Sequence, residues 1–217
     1  MNKEWAELNK QVQEQLKHRD TFQDGILTLL KLRKLILNSL LELKDTLSNE
    51  QFSQMPFANA KVYHNKTIAY SIWHIARIED IVAHSLIAND EQVFFSGDWQ
   101  KKIGSPIITT GNELVKDEIK EFSQRLDIEK LYSYAEEVKK ATELLLTELP
   151  FDKLKGKISA TAKQNLIDSK CVSDDENAVW LIDYWCGKNI KGLIQMPFSR
   201  HLIMHTEAAL RIAEKLK

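Results

Sequence analysis

The chain has 217 residues, which suits one domain with a substantial hydrophobic core. Its 43% apolar and 28% charged content is that of a globular protein and excludes a disordered chain. A net charge of −1, without any run of five or more like charges, gives no reason to expect nucleic acid or an anionic membrane as partner.

Only seven glycines and four prolines occur, and since both break helices their scarcity favours a helical protein. Residues 3 to 18 read as an amphipathic helix. The polar start has no apolar core of a signal peptide. Asp20 or Thr21 is placed to cap a long helix to about Leu47, with Ile26, Leu29, Leu30, Leu37, Leu40 and Leu41 at helical spacing. Lys31, Arg33 and Lys34 interrupt its apolar run, so it cannot span a bilayer. "SNEQFSQMPFANAKVYHNK" breaks the pattern. A second long helix starts near Thr67, apolar at Ile68, Ile72, Ile75, Ile78, Val82 and Leu86. "GDWQKKIGSPIITTGNE" reads as a loop, turning at Gly97, Gly104, Pro106 and Gly111.

"NELVKDEIKEFSQRL" reads as a short helix, followed by a third long one capped by Asp127. "FDKLKGK" is turn-rich, and "NAVWLIDYWCGKNIKGLI" reads as a helix interrupted near Gly187 or Gly192. Pro197 suits the first position of the last helix, where a missing N–H costs nothing. No convincing strand is present. The expected architecture is an all-α, up-and-down four-helix bundle with additional short helices, forming a single domain over residues 1–217. Cys171 and Cys186 form neither a zinc motif nor a disulfide framework; they read as reduced thiols in or near the core of a cytoplasmic protein.

The histidines carry the chemistry. With His201 at zero on a wheel of about 100° per residue, His205 lies at about 40°, Ala208 at about 340° and Ile212 at about 20°. Both histidines therefore share the apolar stripe, away from Glu207, Arg211 and Glu214. Residues four apart are neighbours, so two imidazoles can reach one metal ion, and the small Ala208 and Ala209 suggest room beside them. Alone, HxxxH is a weak motif, and "HLIMH" lacks the glutamate of a zinc protease. His74, at the edge of the apolar stripe of the second long helix, offers a third imidazole. Three nitrogen ligands with open positions describe a catalytic or substrate-binding metal rather than a closed structural one. His84, about 80° around the helix from His74, reads as a surface or boundary residue, as do His18 and His64 in their polar surroundings.

"TIAYSIWHIARIED" and "PFSRHLIMHTEAALRI" together resemble the second and last helices of the DinB/YfiT-like superfamily of four-helix-bundle metalloenzymes. The order of helices is similar along nearly the whole chain, but the specific likeness rests on those two segments. The resemblance implies a divalent metal, zinc or nickel, held by His74, His201 and His205. Characterised members of that superfamily include transferases and isomerases that use low-molecular-weight thiols such as bacillithiol or mycothiol. The extra helix at residues 1 to 19 and the long segment 151 to 195 depart from the pattern, so no substrate carries over.

Two other functions fit the same residues. A metal-dependent hydrolase would need a nearby general base, for which Asp183 and Glu79 are the candidates; either could instead orient a ligand histidine. A non-catalytic bundle would bind metal or pair with a second copy, with Trp180, Tyr184 and Trp185 as core or homodimer packing rather than a ligand platform. A pocket opening onto the histidines favours catalysis on a small-molecule substrate, and a sealed site favours structure.

Overall fold

A computed structural model describes residues 2–60 and 62–217. It is all-helical. The described residues form no strand, only an isolated bridge between Lys157 and Asn189. In chain order the helices are α1 (Lys3–Gln15), α2 (Phe22–Thr46), α3 (Ile68–Asp80), α4 (Val93–Ser96), α5 (Trp99–Ile103), α6 (Asp117–Arg125), α7 (Ile128–Glu148), α8 (Ala160–Asp168), α9 (Trp180–Cys186), α10 (Ile190–Gln195) and α11 (His201–Leu216). Two π-helical stretches interrupt the regular pattern: Ile81–Ala88 continues α3, and Met196–Arg200 joins α10 to α11.

The expected segments are present, with local corrections. Thr67 and Asp127 cap α3 and α7, their side chains accepting from the N–H groups of Tyr70 and Lys130. Neither Asp20 nor Thr21 caps α2 in that way. The Thr21 hydroxyl instead donates to the Gln15 carbonyl at 2.8 Å, tying the end of α1 to the start of α2. The stretch expected to be loop after Gly97 holds the short helix α5. Gly187 ends α9, whereas Gly192 lies inside α10. Pro197 does not open a new helix; it sits in the π-helical turn that carries the chain from α10 into α11.

Helix α3 packs against α7 and α11, and α2 packs against the same two; α1 lies along α2. At Gly25 the α1–α2 approach is so close that a Cβ would meet Gln15 and Leu16 atoms at 3.1 Å. All thirteen residues of α3 are buried, including its charged ones.

The apolar core falls into two clusters. The division lies between Leu29 and Leu32 on α2, Ala76 and Ile78 on α3, Val138 and Leu146 on α7, and Phe198 and Leu202 at the start of α11. Polar groups fill this level. Arg33 forms two bonds with Glu79, Nη1 to Oε2 at 3.0 Å and Nη2 to Oε1 at 2.5 Å, and its Nε lies 3.5 Å from Glu143. Burial opposes the Arg33 charge, but the two glutamates outweigh it and hold its pKa above the usual value.

Candidate metal centre

His74 comes from the middle of α3, and His201 and His205 from the first turns of α11. Two features of the backbone aim them at one another. α3 and α11 are packed side by side. The π-helical turn ends with the His201 N–H on the Met196 carbonyl, five residues back, so α11 begins with a phase that α10 does not share. The three ring centroids are then 4.4, 4.6 and 5.0 Å apart, and one nitrogen from each ring lies within 4.8 Å of the others.

The surroundings suit a cation. His74 donates from Nδ1 to the Thr110 carbonyl at 2.8 Å, which fixes the ring and leaves Nε2 as its lone-pair nitrogen. The turn that presents this carbonyl depends on Gly111, whose φ of +78° suits glycine and whose missing side chain lets Tyr70 approach; a Cβ there would meet Tyr70 at 3.1 Å. Tyr70 donates its hydroxyl to the Gly111 carbonyl and stacks on His74 with rings inclined by 14°. By contrast, the Nδ1 atoms of His201 and His205 are buried with no hydrogen-bond partner. Unpaired buried nitrogens are costly unless something else binds the ring.

All three rings are held neutral, and burial is the main cause. His74 is lowered to about 4, with Lys66 adding to the effect and the Thr110 carbonyl opposing it. His201 is lowered well below the usual value by burial and by His74, and His205 by burial, His201, His74 and Lys66. Neutral imidazole is the form that ligates a metal. Around one ion with bonds of about 2.0–2.1 Å, tetrahedral nitrogens stand roughly 3.4 Å apart, inside the 4.8 Å within which these three atoms lie. The buried three-histidine group can hold a metal ion.

The cluster forms the floor of a cavity of about 430 Å³. Tyr63, Lys66 and Tyr70 line one side, and Trp180, Tyr184 and Met196 are among the residues lining the rest. Trp180 is 49% and Tyr184 37% exposed, which places them at the mouth. A larger groove of about 1120 Å³, between residues 49–56 and 120–129, contains none of the three histidines.

Several expectations change. His84 lies outside the cluster as expected, but it is buried rather than superficial, with Nδ1 2.7 Å from Asp90. His18 is exposed, and His64 is half-buried beside Tyr63. Ala208 and Ala209 are packed in the interior and do not line the cavity, so the space lies on the other side of the histidines. Glu79 is committed to Arg33, and Asp183 is exposed and paired with Lys163 at 2.7 Å; neither lines the cavity. Of the aromatic cluster only Trp185 is fully buried, and all three rings line the cavity rather than simply filling the core. The sequence reading missed Tyr63, Lys66, Tyr70 and Thr110. Tyr70 carried a signal, four residues before His74 and hence on its face of α3.

No protein-family profile matches the chain, and no curated protein matches its sequence.

Proposed function

We propose that the protein is a metal-dependent enzyme of the DinB/YfiT-like kind, in which α2, α3, α7 and α11 form the four-helix bundle. Its reaction is a thiol-dependent transfer or isomerisation on a small electrophile. The observation that carries this reading is the meeting of three buried, neutral imidazoles at the floor of an open cavity, two of them lacking a partner for Nδ1. His74, His201 and His205 would hold a divalent ion, zinc or nickel as the DinB/YfiT-like resemblance implies, and an all-imidazole set suits both. When bound, such an ion stabilises a small thiol in its deprotonated, nucleophilic form.

The protein's own groups do the rest. Thr110 and Tyr70 fix the orientation of His74. The largely apolar walls limit water at the reacting atoms, and the mouth beside the paired Trp180 and Tyr184 rings admits the electrophile. The hydrolase reading is weaker because no carboxylate is among the described residues lining the cavity, leaving Glu79 and Asp183 without access to a water there. The Trp180 and Tyr184 faces would also be available to a second copy in a homodimer, at the cost of covering the mouth.

Cobalt(II) substitution tests the reading. Adding a small thiol to the cobalt protein should produce a sulfur-to-metal charge-transfer band. The band should be lost in His205→Ala and retained in His84→Ala. A cobalt spectrum indifferent to thiol would reject the thiol-dependent reaction.

A further inference from the structure

The lining of the cavity is asymmetric in charge. Among the described residues lining it, Lys66 is the one cationic side chain and none is acidic. Lys66 immediately precedes Thr67, the cap of α3, so its backbone is anchored at the helix start. Its ammonium has no carboxylate partner among the described residues and rests 4.9 Å from the centroid of Tyr70, the ring stacked on His74. Asn112, in the same lining, accepts a hydrogen bond from the Thr110 hydroxyl through Oδ1, and its Nδ2 donates to no acceptor among the described residues. Across the cavity stand Trp180 and Tyr184, their rings 5.6 Å apart and inclined by 67°. The Trp180 indole N–H is already engaged with the Asn177 carbonyl, so this ring contributes its apolar surface rather than a donor. Lys188 lies over Tyr184 at 4.1 Å but does not line the cavity.

We infer that the cavity selects an organic ligand with a flat apolar body and a carboxylate, the carboxylate paired with Lys66 and Asn112 and the body packed on Trp180 and Tyr184. A partly desolvated ammonium without a partner is poorly served by water, and a planar carboxylate can accept from both the ammonium and the amide. A carboxamide of the same shape keeps one carbonyl acceptor but puts an NH2 where the second is needed and carries no charge, so one donor is left unmatched and the ammonium loses its counter-ion. Flat aromatic or conjugated bodies gain from ring contacts beyond the area they bury. Lys66 is thus a specificity-determining residue, one ring removed from the histidine cluster. The inference rests on reading the cavity as the reaction site. Its test separates the two by running with and without metal.

Isothermal titration of 2-naphthoate and 2-naphthamide into the full-length protein, metal-free and zinc-loaded, provides that test. The carboxylate should bind at least about tenfold more tightly than the amide in both forms, the discrimination that follows from one charged hydrogen-bonded contact. Lys66→Gln should bring the two affinities together while leaving the naphthamide affinity unchanged, which shows that the cavity is intact. Trp180→Ala should weaken both probes equally. A preference seen only with zinc and surviving Lys66→Gln would make the carboxylate a ligand of the ion, overturning the role of Lys66 while leaving the metal centre standing. A metal-independent preference that survives Lys66→Gln, equal binding of the two probes, or binding of neither would overturn the inference directly.

Discussion

Two buried polar sets lie within one helix and have opposite character. In the C-terminal half of α3, Arg77 donates to Asp80, to the Tyr134 hydroxyl, to Gln92 and twice to the Ile108 carbonyl, all at 2.8–3.1 Å. Asp80 in turn accepts from the N–H groups of Val93 and Phe94 at the start of α4 and from Tyr134. One turn earlier, His74 has a single protein partner, and the two histidines facing it across the helix pair leave Nδ1 unbonded. Burial is nearly the same in both sets. The first is a closed network whose donors are answered by protein groups, and it locks α3, α4, α7 and the loop before α6 together. The second is unfinished by protein alone. The two sets thus differ in whether protein groups complete their hydrogen bonds.

Removing a member of the closed set should have the largest effect. Asp80→Ala leaves the Arg77 guanidinium buried without its counter-ion and should cost about 3–5 kcal/mol in denaturant unfolding, with or without metal. A loss under about 1 kcal/mol would mean that the network is not the lock described.

The open set should respond in the reverse way. His205→Ala removes an incompletely bonded ring, so the metal-free protein should lose little stability. Zinc affinity should fall by more than about 100-fold, beyond what losing an orienting partner costs. Equal damage to stability and affinity would erase the distinction between the sets.

pH sharpens it further. In the metal-free protein His74 stays neutral down to about 4, whereas the unfolded chain takes up its proton near pH 6.5. Above about 6.5 both states are neutral and this ring adds no pH dependence. As pH falls toward 4 the unfolded state gains protons that the folded state refuses. Stability should then fall by up to about 1.4 kcal/mol per pH unit from this ring alone, with His201 and His205 acting in the same direction. Bound zinc should shift the onset of the loss to lower pH, because the metal competes with protons for the same nitrogens. An acid limb unaltered by zinc would contradict this. The smallest effect belongs to the surface: Asp183→Asn breaks an exposed pair and should change neither melting temperature nor zinc affinity measurably.

The periodicity of the sequence placed His74, His201 and His205 on inward faces, and their spatial proximity follows from helical geometry and the packing of α3 on α11. Asp127 was equally legible as a cap and Thr67 as a helix start, because both are local signals. What escaped was either non-local or a matter of phase. Thr110 reaches His74 from 36 residues away, through a turn that depends on Gly111. The π-helical turn at Met196–Arg200 was hidden by Pro197, which the residue pattern alone assigns to a helix start. The Arg77–Asp80 network escaped because a hydrophobic stripe predicts one buried face, whereas α3 is enclosed on every side. Lys66 and Trp180 meet across the cavity from segments over a hundred residues apart, a pairing that no spacing encodes.

Completion of the three histidines by one metal ion is open to direct observation. Crystals of the protein purified without an affinity tag and loaded with zinc, measured on both sides of the zinc absorption edge, test it most directly. A single strong anomalous peak is expected about 2.0–2.1 Å from one nitrogen each of His74, His201 and His205, with a further position open toward the cavity. A zinc-soaked crystal with no peak there, or with the ion bound elsewhere while the three rings keep their unpaired nitrogens, would contradict it.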